Sequence, residues 1–416
     1  MQILHNPSTL SHSILELVGS RLIPAYESPA RISSILSALS SRPITHCTTD
    51  IDAALHAASK VHTADYLQHL RTIFPQSLEA GLIEPSGTLL PECFPSARLP
   101  GYKARNKTPT DLSARTGWYA FDLSSGIAEH TYTAALASAD LARRGALAIA
   151  DGEKTVFAMC RPPGHHCGKD VMGGYCYLNN TAIAVKTLLG ELDDDSQGQI
   201  SILDLDFHHG NGTQEVFYAD QNPTYVSIHG EGEYPYFSGA PEEKGEGKGK
   251  GYNLNLPISC SQDVTWELYS PRIQQAIEKL KAVRTKYLVV SLGFDTFCND
   301  PVGKFCLARE DYGKMGRIVG ELGLPTLVVL EGGYVVEELG NNCAEFLRGL
   351  EAGKASVEVE AAVEEEVKLD DSDKLDKTCE WEKVEKSEAV NGSYTNGYTN
   401  GYCNGYKTVV NGHGRR

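Results

Sequence analysis

No Cys-x-x-Cys pair occurs among the 11 cysteines, so neither a zinc finger nor a thioredoxin-like redox motif is supported. The N-terminus, MQILHNPSTL, lacks the basic start and long apolar run of a signal peptide. Nowhere does an apolar run approach the roughly 18 residues that a membrane span requires. Positive charge is in short supply as well: 38 Lys and Arg face 54 Asp and Glu, a net charge of −16. That balance argues against direct nucleic-acid binding, which normally shows a basic patch. It would instead steer cationic substrates by long-range attraction. A GxxxxGK[ST] phosphate loop is absent, and no serine sits in a G-x-S-x-G setting. The expected setting is a reduced intracellular compartment, cytoplasmic or nuclear, with no membrane partner.

What is present is an ordinary soluble composition, 41% hydrophobic and 22% charged, over 416 residues. It changes sharply near residue 351, where an acidic stretch leads into the repeat NGSYTNGYTNGYCNGY. Residues 351–416 therefore read as a largely disordered tail, with a short solvated helix conceivable around Val363 to Leu369. Residues 1–350 read as the catalytic domain. There, apolar runs at Thr155–Met159, Gln199–Leu205, Thr224–Ile228, Tyr287–Leu292 and Thr326–Leu330 suggest strands. Helix-like stretches lie between them at Asn180–Leu189, Val264–Val283, Arg309–Glu321 and Glu337–Leu350. Strands apolar on both faces and separated by helices indicate a parallel sheet covered on both sides.

In such sheets ligands sit beyond the carboxyl ends of the strands. Four of the five runs end in unusual chemistry at that end: RPPGHH, DFHHGNG, GFDTFCNDP and EGGY. Chance would scatter these groups over both edges. In SILDLDFHHGNGTQ, Asp204, Asp206 and His208 are each two apart, so an extended chain turns them to one side. Burying such groups without partners would cost several kcal/mol. Asp206, His208 and Asp295 together offer O, N and O ligands, the number a catalytic zinc takes while keeping a position open. By ligand type alone, Fe²⁺ or Mn²⁺ would serve too. Taken alone, Asp295 could equally cap a helix; beside Asp206 and His208 the ligand reading prevails.

His165 and His166 lie where two prolines and a glycine forbid a regular helix. One imidazole can take a proton from water, and it or its neighbour can return it to a leaving amine. Asp204 could orient His165, and Asn211 could do the same for His166 without charge. Tyr334, after two glycines, could hydrogen-bond a carbonyl oxygen, although a tyrosine in that setting is often packing.

The ordered set RPPGHH, GGYCYLNN, LDLDFHHGNGTQ, GFDTFCNDP and LEGGY resembles the zinc-dependent deacetylase superfamily of histone deacetylases and acetylpolyamine amidohydrolases. GSRLIPAYESPARI and FPSARLPGYKARNKTPTDLSARTGWY resemble the acetylpolyamine amidohydrolases in particular. The resemblance implies a single α/β domain with a central, mainly parallel, eight-stranded sheet flanked by helices. It implies zinc on Asp206, His208 and Asp295, His166 as general base and acid, His165 as electrostatic partner and Tyr334 as carbonyl polariser. Gly174, Tyr175 and Phe237 would line the substrate channel. A potassium ion would sit on Asp204, Asp206, His208, Ser227 and Ile228. Glu16 would supply one acid at the channel mouth; a second acidic position aligns with Ser113, two residues after Asp111. The insertion Phe94–Trp118 resembles a segment through which such enzymes dimerise.

The implied activity is removal of acetyl groups from small amines such as acetylpolyamines. The alternative is a protein acyl-lysine deacetylase. A non-catalytic acyl-binding module and a two-manganese ureohydrolase are further readings. Loss of activity in Asp295→Ala with retained folding would separate the binding module from an enzyme, and a ureohydrolase would need further bridging aspartates.

Overall fold

The computed structural model describes residues 1–96, 98, 107–192 and 199–377, the backbone alone from residue 361. Its strands are β1 (Gln2–His5), β2 (Leu15–Val18), β3 (Arg21–Pro24), β4 (Thr45–His46), β5 (Thr155–Ala158), β6 (Gln199–Asp204), β7 (Thr224–Gly230), β8 (Asn253–Ile258), β9 (Thr285–Leu292) and β10 (Thr326–Leu330). Eight of them form one sheet in the order β4-β1-β5-β10-β9-β6-β7-β8, and every neighbouring pair is parallel. β2 and β3 form a separate antiparallel hairpin.

Strand sequences apolar on both faces follow from this layering. Along β6, Ile200 and Ile202 point into one core and Leu203 into the other. In β9, Val289 joins the first core while Leu288 and Val290 join the second. Each such side chain, fully buried, contributes about 1.5–3 kcal/mol, so neither face can be left open to water. The covering helices are α1 (Pro29–Ala38), α2 (Ile51–Ala58), α3 (Ala64–Glu79), α4 (Leu112–Trp118), α5 (Thr131–Ala150), α6 (Asn180–Glu191), α7 (Asn211–Phe217), α8 (Trp266–Ala282), α9 (Arg309–Gly320) and α10 (Val336–Lys377). Among the described residues, no helix is long and apolar enough to cross a membrane.

The boundary expected at residue 350 falls inside α10, and the first compact unit runs to Ala361. The reason is close packing of α10 on α9. A Cβ on Gly316 would stand 2.1 Å from the Phe346 carbonyl oxygen, and one on Gly353 would stand 2.3 Å from that of Arg317. Only hydrogen at these positions lets the two backbones meet. Beyond residue 350, Lys354 Nζ donates to the carbonyls of Lys154 and Leu324 at 2.6 and 2.7 Å, holding the helix on the starts of β5 and β10. The helix conceived around Val363–Leu369 lies within α10, whereas the Asn-Gly-Tyr repeat lies outside the described residues.

Candidate active site

β6 ends at Asp204, and the chain turns so that the His208 backbone N–H donates to Asp206 Oδ1 at 2.9 Å. β9 delivers Asp295 beside it. Gly293 is required there, since a Cβ would stand 2.0 Å from Asp206 Oδ2. Ligand atoms of Asp206, His208 and Asp295 all lie within 4.8 Å of one another, and all three residues are buried. His208 Nδ1 is 3.1 Å from Asp206 Oδ1 and 3.0 Å from Asp295 Oδ2. The remaining carboxylate oxygens are taken by backbone donors, Gly332 N on Asp206 and Phe207 N on Asp295, both at 2.9 Å. One nitrogen and two carboxylate oxygens thus converge on one point, a donor set that fits a divalent cation.

His165 Nδ1 lies 3.2 Å from Asp204 Oδ2, and His166 Nδ1 lies 2.8 Å from Asn211 Oδ1. The two rings lie 4.1 Å apart between centroids, with their planes tilted by 46°. His166, His208, Gly174, Tyr175 and Tyr334 line a common cavity of about 330 Å³. The Tyr334 backbone N–H donates to Asp300 Oδ2 at 2.7 Å, and its ring lies 4.9 Å from the Arg31 guanidinium carbon.

Two expected channel residues stand elsewhere. Phe237 is 95% exposed, and Tyr234 and Tyr236 line the cavity in its stead. Glu16 is buried behind the wall, where it accepts from the Tyr175 hydroxyl at 2.8 Å. Asp111, near the second acidic position, caps α4 by accepting from Ala114 N. In the insertion, residues 97 and 99–106 lie outside the described residues. Ser227 pairs with Asp204 in register, but its hydroxyl contacts His229 Nδ1 at 2.8 Å, and Ile228 is buried beside it. Cys298 and Cys306 are disulfide-bonded, a pairing that the expectation of reduced thiols did not include.

The histone deacetylase domain model matches residues 25–350. The chain belongs to the histone deacetylase family. It is 39% identical over 344 residues to acetylpolyamine amidohydrolase 2 of Pseudomonas aeruginosa, covering 82% of this chain and 96% of the relative. Acetylpolyamine amidohydrolase of Mycoplana ramosa is 38% identical over 343 residues, covering 82% and 96%. A crystal structure of acetylpolyamine aminohydrolase from Burkholderia pseudomallei superposes with a TM-score of 0.75 at 32% identity, covering 85% of this chain and 99% of that one.

Electrostatics separate the two histidines of this deacetylase-family site. Burial opposes charge on His165, but Asp206 and Asp204 outweigh it and push the imidazole up to about 10. Burial, then His165 and His208, hold His166 well below the ordinary histidine range. Burial likewise opposes charge on His208, yet hydrogen bonds to Asp206 and Asp295 carry it up to about 10. Burial and the Asp206 charge raise Asp295 to about 7. With several buried carboxylates around it, the deacetylase-family centre calls for positive charge.

Sequence reasoning missed three supports. Glu331 is fully buried and accepts from the backbone N–H groups of Gly164 and His165 at 2.7 and 3.2 Å, holding the two-histidine loop. A carboxylate directly after the apolar strand TLVVL was the signal for it. Asp122 accepts from the Tyr234 hydroxyl at 2.6 Å and from Gly174 N at 3.1 Å, fixing both cavity walls. Asp300 sets the Tyr334 backbone. The last two act between segments distant in the chain, and no local pattern marks them.

Proposed function

We propose that this deacetylase-family hydrolase removes acetyl groups from small amines, acetylpolyamines foremost. The observation that carries the reading is the cluster of Asp206, His208 and Asp295 at a cavity that His208 lines together with Tyr334 and His166, the last paired with Asn211. A divalent ion held by Asp206, His208 and Asp295, zinc in our reading, supplies Lewis-acid polarisation of the amide carbonyl and acidifies water. His166, neutral and turned by Asn211, takes the proton of the attacking water and returns it to the departing amine. His165, paired with Asp204, stays charged and favours the negative charge that develops. The Tyr334 hydroxyl donates to the carbonyl oxygen as it becomes an oxyanion. Products are acetate and a cationic amine, which suits the chain's net charge of −16.

The names of the relatives, which match over most of their length, support small acetylated amines over acetyl-lysine in proteins. A potassium ion on Asp204, Asp206, His208, Ser227 and Ile228 and self-association through Phe94–Trp118 belong to the same reading. The deciding experiment assays purified protein on acetylputrescine, acetylspermidine and an acetyl-lysine peptide, with and without chelator. Chelator-sensitive hydrolysis of the first two is expected; turnover of the peptide alone would overturn the substrate assignment in favour of a protein deacetylase.

A further inference from the structure

Glu233 and Lys304 are the Asp, Glu, Lys or Arg side chains among the residues that line the cavity, and the chemistry above uses neither. They come from different loops, one after β7 and one after β9, the second closed by the Cys298–Cys306 disulfide. Lys304 Nζ donates to Glu233 Oε1 at 2.7 Å. Among the described residues no donor bonds Oε2. The Glu233 side chain is 18% exposed and that of Lys304 59%, so the acid faces inward and the ammonium arrives from outside. Tyr236 lines the cavity beside them and is 63% exposed, offering a ring face to a cation.

The other acids considered for the mouth each have a partner. Glu16 holds the Tyr175 hydroxyl, Asp111 caps a helix, and Asp122 holds Tyr234 and Gly174. Among these acids Glu233 is the one that lines the cavity, and its Oε2 meets no donor among the described residues. The group that meets its other oxygen is itself a primary alkylammonium, the chemistry that ends a diamine. A half-exposed ion pair of this kind is weak and readily exchanged.

We propose that Glu233 is the specificity-determining acceptor for the distal ammonium of an acetylated di- or polyamine, and that Lys304 holds that place in the free enzyme. This rests on the amine-deacetylase reading above and deepens it. An incoming tail ammonium displaces Lys304 Nζ from Glu233, and the lysine swings out to water. No covalent step is involved. Because the contact lies far along the tail from the reacting carbonyl, it acts equally before and during reaction, and so shows in KM.

The test compares N-acetylputrescine with N-butylacetamide, which has the same acetamide and four-carbon chain without the ammonium. The wild type is expected to prefer the cationic amide in kcat/KM. Glu233→Gln should cut that preference by about tenfold or more, through KM. Lys304→Met, independently, should raise kcat/KM for N-acetylputrescine several-fold by removing the competitor, and high salt should shrink the wild-type preference. An unchanged preference in Glu233→Gln, equal losses on both amides, or a lower kcat/KM for the cationic amide in Lys304→Met would each overturn the inference while leaving the amine-deacetylase reading intact. If the wild type hydrolyses neither amide yet turns over an acetyl-lysine peptide, the substrate reading itself fails, and the inference with it.

Discussion

Asn211 Oδ1 lies 2.8 Å from His166 Nδ1, whereas the adjacent His165 faces a carboxylate. An uncharged acceptor keeps the proton on Nδ1 without favouring a second one, so Nε2 of His166 stays available as a base.

Asn211→Asp converts that neutral partner into an anion and raises the His166 pKa by about 1–3 units. A base works only when deprotonated, so the acid limb of kcat/KM should move to higher pH by a similar amount. A pH–rate profile of the two proteins checks this. An unmoved limb would show that His166 is not the group that titrates.

Tyr334→Phe keeps the ring and removes the hydroxyl. Loss of one oxyanion donor lowers kcat by about 10²–10³, with KM for N-acetylputrescine little changed. A loss confined to KM would assign Tyr334 to binding alone.

Chelator should abolish activity, and added Zn²⁺ should restore it. Metal at a hundred times its Kd adds about 2.7 kcal/mol of stability, so the melting temperature of metal-free protein should climb by several degrees on addition. Asp295→Ala should show neither activity nor that rise. An equal rise in the variant would place the ion elsewhere.

His62 tests the pH dependence of stability away from the site. Burial lowers it from 6.5 to about 4, and its Nε2 accepts from Asn179 N at 3.0 Å, which requires a neutral ring. Its folded value is depressed, so its stabilisation is full above 6.5 and is lost as pH falls toward 4. The difference amounts to roughly 3 kcal/mol. His62→Gln keeps an acceptor but cannot titrate, so its melting temperature should fall less steeply between pH 6.5 and 4. Parallel slopes would remove His62 from the account.

The sheet and the metal-ligand triplet were legible because both rest on local pattern. β6, β9 and β10 bury both faces and so spell out near-continuous apolar runs, and Asp206 and His208 follow from strand alternation. β1 is four residues long and β4 two, too short for periodicity to register. β8, NLNLPI, alternates asparagines with leucines, and the asparagines are buried on Gln214, a tertiary bond no window reveals. Helix α5 escapes pattern reading because alanine is the commonest residue of its buried face and only Leu136, Leu141 and Ile149 there are large and aliphatic, a weak hydrophobic signal. Among the neighbouring aromatics of YPYF, sequence cannot tell which ring turns inward, and Phe237 was chosen where Tyr234 and Tyr236 line the wall. The domain limit at 350 followed composition, while the helix obeys the glycine contacts with α9.

Because every strand of the main sheet runs the same way, reactivity is confined to one rim, and the opposite rim, where Thr155 and Thr326 begin β5 and β10, carries none of it. Anchoring the protein to a solid support through that inert side would leave the opening facing the bulk solution, free to receive dissolved amides.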